Sequence, residues 1–208
     1  MCIRDSNDNK KEELRCEQLP LNYDRKCFSW NEFRWEANFE AGYSYAAELI
    51  PADITVNRVP FHLETKEEMN GMLCSGNTLQ LPAGHSYNRL YILAAAATAE
   101  EDVRGVFQAG KNLQEIVVPS YTGFVGQWGH TGHTQGYLKD AEVAYVGTHR
   151  HSAEGDHVYE FTYMFKFAID IPTKATEVIL PDNKDIVIFA ATLVEEPYTP
   201  VKALSTLF

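Results

Sequence analysis

The chain has 208 residues, enough for one sizeable domain with a core of its own. Hydrophobic residues make up 45% of it, and the formal net charge is −11, which sets the surface against nucleic acid and anionic membranes. No apolar run approaches the roughly 18 residues of a membrane span, so neither nucleic acid nor membrane is expected as a partner.

Residues 1–18 are polar and charged without an apolar period and are read as a tail or linker. They lack the apolar stretch of a signal peptide. The opening MCIRDS (1–6) resembles the translated adapter peptide that begins many assembled metagenomic reading frames and is set aside as an artefact. KKEELRCEQL would fit a short helix. The four cysteines, Cys2, Cys16, Cys27 and Cys74, have neither C-x-x-C spacing nor the density of a disulfide scaffold. Free thiols are expected, with Cys16–Cys27 or Cys27–Cys74 bridges as the alternatives.

A domain is expected over residues 19–196, followed by a tail over 197–208. In YILAAAATAEEDVRG (91–105) the alanines favour helix, while residues 90–93 read as strand. Residues 121–140, rich in Gly, Thr, His and aromatics, form an irregular loop, and a loop of that length is usually functional. AEVAYVG (141–147) and YEFTYMFKFAI (159–169) are strands. In the second, Phe161, Tyr163, Phe165, Phe167 and Ile169 alternate with Glu160, Thr162, Lys166 and Asp170, which predicts one buried and one wet face. TEVILP (176–181) is a further strand, and DIVIFAATLV (185–194), apolar on both faces, is a central one. Pro, Gly, Asn and Asp in residues 81–88, 171–176 and 180–185 mark turns. Together these predict an all-β, antiparallel, jelly-roll-like β-sandwich.

The densest polar cluster is GTHRHSAEGDH (147–157). On a straight strand Val143, Tyr145, His149 and His151 share one face. Alternate strand residues lie roughly 7 Å apart, so His149 and His151 are the pair that could converge on a metal, with a third ligand from His157, Asp156, His130 or His133. Hydrogen bonding to loop backbone at a strand end is the preferred reading, and no metal is assigned. His130 and His133, in GHTGH, lack the Glu and the helix of a zincin and are read as loop. Glu48, Glu142, Glu154, Asp156 and Glu160 offer carboxylates, but nothing pairs them as glycoside hydrolysis requires. Trp30, Trp35, Tyr43, Tyr45, Tyr121, Phe124 and Trp128 could stack on sugar or pack in a core. No G-x-S-x-G, Walker A or G-x-G-x-x-G occurs, and FQAGKN (107–112) is not a P-loop.

LPAGHSYNRLYILAAAAT, SYTGFVGQW, VAYVGTHRHS, YEFTYMFKFAIDIP and VILPDNKDIVIFAATLV, in that order, resemble the C-terminal β-domain of bacterial α-mannosidases of glycoside hydrolase family 38, most closely the Bacteroidetes type. The resemblance runs over residues 19–194, and LPLNYD (19–24) and AAELIPADI (46–54) fit the start of that domain. It implies a retaining exo-mannosidase whose zinc site and nucleophilic Asp lie in a preceding domain that this chain does not contain. No catalytic residue and no cofactor are carried over to this chain. Its expected partners are that catalytic domain and a mannose-containing glycan, in the periplasm or outside the cell. His149, Arg150, His151, Tyr121 and Trp128 are the candidate contacts to either partner. A carbohydrate-binding module with its own glycan affinity is the alternative.

Overall fold

The computed structural model describes residues 14–36, 38–99, 101–123 and 141–197. In chain order its strands are β1 (Arg15–Gln18), β2 (Phe28–Ser29), β3 (Tyr43–Ala46), β4 (Asp53–Val56), β5 (Val59–His62), β6 (Met72–Ser75), β7 (Thr78–Gln80) and β8 (Arg89–Ala96). There follow β9 (Val103–Ala109), β10 (Asn112–Val118), β11 (Thr122–Gly123), β12 (Glu142–Ser152), β13 (Gly155–Asp170), β14 (Glu177–Ile179) and β15 (Asp182–Glu195). Two short 3₁₀ helices, Asn31–Glu36 and Ala47–Leu49, lie on either side of β3.

The largest sheet runs β1-β15-β8-β13-β12-β3-β2, with β11 on β13 and β6 on β15. A second sheet runs β10-β9-β14-β7, and β4 pairs with β5 as a hairpin. The large sheet is a shared wall with a core on each side, and side-chain alternation sorts residues between them. From β8, Leu90, Ile92, Ala94 and Ala96 join Phe107, Ile116 and Val178 of the second sheet. Leu93 and Ala95 join Phe61 and Leu63, from β5 and just beyond it. On β15, Ile186 and Ile188 face the first core, while Val187 and Phe189 face the second. The all-β sandwich expected from the sequence is therefore observed, as a curled, multi-sheet form.

Three local expectations change. Arg15–Gln18, read as part of the tail, pairs antiparallel with β15, because its backbone groups complete that strand's edge. The alanines of 94–96 continue a strand instead of starting a helix, because small side chains let neighbouring layers close over β8. The face of β13 expected to be wet is buried at Thr162 and Lys166. There the β4–β5 hairpin covers Lys166. Its ammonium donates to the Val56 carbonyl at 3.1 Å, pairs with Glu142 at 3.3 Å and lies 4.5 Å from the centre of the Tyr91 ring. Asp185–Val194 is a central stretch as expected, flanked by β1 and β8. Cys16, Cys27 and Cys74 are free thiols. Burial pushes the Cys74 thiol up to about 12, so it behaves as a small apolar group.

Candidate functional site

The polar cluster is built on the β12–β13 hairpin. Ser152 pairs with Gly155 across a two-residue turn at residues 153–154, and Ser152 Oγ accepts the Glu154 N–H at 3.2 Å. Between Val143 and Tyr145 the register slips, with β12 stepping two residues (143 to 145) against one of β13 (165 to 164). This bulge turns Val143 out and Tyr145 in, so the two do not share the face that a straight strand would give them. The next slip lies on the other strand: β12 moves from 147 to 149 while β13 moves from 162 to 158. Tyr159, inside that irregularity, has φ of 71°. With the extra residues on β13, β12 keeps its alternation through residues 145–151, and His149 and His151 project together with ring centres 5.4 Å apart.

Arg150 leaves by the opposite face and is nearly enclosed. Its guanidinium reaches Glu160, Glu40 at 3.3 Å and the Tyr121 hydroxyl at 3.0 Å, and it lies 3.6 Å from the centre of the Tyr43 ring. Burial opposes its charge, but Tyr121 and Glu160 more than offset this, so its pKa rises. Tyr121 is fully buried, and burial pushes its phenol up despite Arg150. It therefore offers no sugar platform and instead holds Arg150.

The histidine face is arranged differently. His151 is fully buried, and its Nδ1 is 2.9 Å from the Ser29 carbonyl and 3.1 Å from Ser29 Oγ. A carbonyl only accepts, so Nδ1 carries hydrogen, and the Nε2 edge is the one that faces the carboxylates. Nε2 lies 3.0 Å from Glu48 Oε1 and 3.4 Å from Asp156 Oδ1. His149 Nε2 is 4.0 Å from each of the same two oxygens, and its Nδ1 is 3.1 Å from Thr148 Oγ1. Asp156 is held at 2.7 Å by Arg34. Glu48 comes from the 3₁₀ turn that follows β3, which pairs with β12 and so brings it over the histidines.

Among the described residues, four buried side-chain nitrogen or oxygen atoms have no hydrogen-bond partner: Arg34 Nε, Tyr145 OH, His149 Nε2 and Thr162 Oγ1. His149 and Arg34 belong to this cluster. Tyr145 adjoins it, since burial and then the Glu48 charge push its phenol up to about 12. Glu48, His149 and His151 can bring one ligand atom each to within 4.8 Å of one another.

Of the third ligands expected for the histidine pair, Asp156 is close, and His157 turns away to Ser152 Oγ at 2.9 Å and to the edge of the Tyr43 ring. Glu48, known from the sequence only as an unpaired carboxylate, takes that place. Trp128, His130, His133 and Phe124 lie outside the described residues. Of the aromatics proposed for stacking, Tyr45 is buried, whereas Trp30 and Trp35 are exposed, Trp35 by 66%. Phe33, whose ring meets Trp35 edge-on at 5.4 Å, forms with it an exposed ridge on the same short helix that supplies Arg34, and Trp30 lies just before that helix.

The model of the AziU2-like β-sandwich domain family matches residues 14–197. The chain belongs to that family. No curated protein matches it. The matched span of this AziU2-like domain takes in β1 and the whole of the histidine and arginine clusters. It carries the sandwich fold and names no enzyme.

Proposed function

We propose that this AziU2-like β-sandwich is an accessory domain of a larger α-mannosidase that hydrolyses terminal α-mannosyl residues of glycans. It supports a catalytic domain that carries the zinc and the nucleophile, in the periplasm or outside the cell. The observation that carries this reading is the exposed ridge of Phe33 and Trp35, with exposed Trp30 just before it, on a 3₁₀ helix fixed to the hairpin by the Arg34–Asp156 ion pair. Large apolar side chains clustered at a surface and rimmed by charge are typical of a docking face. The choice of an α-mannosidase as the parent rests on the resemblance of the ordered sequence blocks.

The test is to read the gene upstream, express the full polypeptide and assay hydrolysis of an aryl α-mannoside. The expected result is an H-x-D zinc block with a catalytic Asp upstream, and an activity that falls when Trp30, Phe33 and Trp35 are all replaced by Ala. An upstream frame without that block would end this reading.

The same ridge supports a second reading, in which the isolated domain binds glycan by stacking sugar on Trp35 and hydrogen-bonding it through neighbouring polar groups. Calorimetry with mannobiose and yeast mannan separates the two. Heat that is lost in Trp35→Ala supports a binding module, and the absence of heat with either ligand removes it.

A further inference from the structure

We propose that Glu48, His149 and His151 form a binding site for a first-row divalent transition metal, with zinc as the reference ion. Two imidazoles and one carboxylate suit zinc and its neighbours and do not suit calcium or magnesium, which take oxygen ligands. Three protein ligands also leave one coordination position open, as in sites where the ion exchanges ligands.

The spacing fits a single ion. Tetrahedral ligands at about 2.1 Å from zinc stand about 3.4 Å from one another. Here Glu48 Oε1 is 3.0 Å from His151 Nε2 and 4.0 Å from His149 Nε2. Both values differ from the ideal edge by an amount that a side-chain rotation can absorb. Asp156 Oδ1, at 3.4 Å and 4.0 Å from the two nitrogens, is already engaged by Arg34. It adds negative charge beside the site and stays out of the primary set.

The ring orientations point the same way. Metal-binding imidazoles usually tie the second ring nitrogen to a backbone carbonyl, a carboxylate or water, which fixes the tautomer and aims the first nitrogen. His151 has that tie to the Ser29 carbonyl, and His149 has a hydroxyl tie to Thr148. His149 Nε2 is buried and has no hydrogen-bond partner among the described residues, although it lies on the side of the two carboxylates. A buried polar atom without a partner calls for a ligand, and an ion shared with His151 and Glu48 supplies one. This site is independent of the accessory-domain reading, and the failure of either leaves the other standing.

The test uses the full chain, stripped with chelator and dialysed, then titrated with zinc, iron(II) and calcium by calorimetry, with bound metal counted by elemental analysis. Cobalt(II) absorption reports the ligand geometry. The expected result is one equivalent of zinc, a tetrahedral cobalt spectrum and no calcium heat. Affinity should fall at least tenfold in Glu48→Gln and in His149→Ala and stay unchanged in His62→Ala, a surface histidine on the β4–β5 hairpin. Circular dichroism confirms that each variant is folded. Because His151 is fully buried, the two partly exposed ligands carry the test. Less than a tenth of an equivalent of zinc in the wild type, or equal zinc in both ligand variants, would overturn the site. Calcium bound more tightly than zinc would overturn it as well.

Discussion

Arg150 and the two histidines beside it leave the same strand one residue apart, yet their surroundings follow opposite rules. On the arginine face two carboxylates, a phenol and an aromatic ring close around one fixed cation. On the histidine face Arg34 holds Asp156, whereas Glu48 meets two imidazoles, and one ring nitrogen is left over. A permanent cation lets a buried acidic pocket close, so the arginine side is a structural clamp. The histidine pocket has a fixed cation for Asp156 only, and Glu48 with the two imidazoles is free to take up an ion.

The largest test of that contrast is Arg150→Ala. It removes the cation between Glu40 and Glu160 and leaves the Tyr121 hydroxyl only its bond to Glu40, and we expect a loss of about 3 kcal/mol in urea unfolding. Arg150→Lys should recover only part of this, because a point charge cannot replace the planar fork. If Arg150→Ala unfolds like wild type, the clamp is not one.

On the other face, zinc at a hundred times its Kd should add about 2.7 kcal/mol to wild type. His149→Ala should lose at least about half of that gain while changing metal-free stability by less than about 1 kcal/mol, since Nε2 has no partner and Nδ1 has only the exposed Thr148 hydroxyl. Thermal melts with and without zinc check both numbers.

Gly147 lies on the histidine face of β12, between Tyr145 and His149. A Cβ there would run into Thr162 Oγ1 and come within 2.9 Å of the Tyr145 hydroxyl. Gly147→Ala should therefore cost about 2 kcal/mol through crowding, measured by denaturant midpoint. Smaller still, Thr148→Val removes the partner of His149 Nδ1 and should weaken zinc about tenfold without altering the fold.

The smallest effect is in the Tyr145 phenol, held up to about 12 by burial and by Glu48. A raised folded pKa means that the native state keeps a proton the unfolded chain releases. Its contribution to stability is thus full below about pH 10 and is lost as pH climbs through about 12. Alkaline ultraviolet titration should show the Tyr145 transition move downward in Glu48→Gln while staying above 10.0, because burial remains.

Much of the sheet was legible in the sequence, for reasons particular residues make plain. Apolar residues from Ile186 to Val194, interrupted only by Thr192, need cover on both sides, and β15 has it. Lys166 misled because a charge in an alternating strand normally marks a wet face, and only the hairpin at Val56 turns that face into an interior. The H-x-H pair was legible from alternation alone, since the register slip beside it falls on β13. Its carboxylate was not. Glu48 lies about a hundred residues away in sequence, and only the pairing of β3 with β12 brings it near. Tyr121 was misplaced for a related reason: its flanking glycines and threonines suggested a surface loop, whereas β11 tucks it against β13.

The pairing of β1 with β15 has a further consequence. Arg15 lies opposite Glu195, so the chain enters and leaves the sandwich at one point on its rim. A domain so arranged can be spliced into a host polypeptide at a single surface position without prying the host apart. The same arrangement sets its response to tension. A pull on the two flanks loads the β1–β15 hydrogen bonds one at a time, like the teeth of a zip, starting at the Arg15–Glu195 clasp.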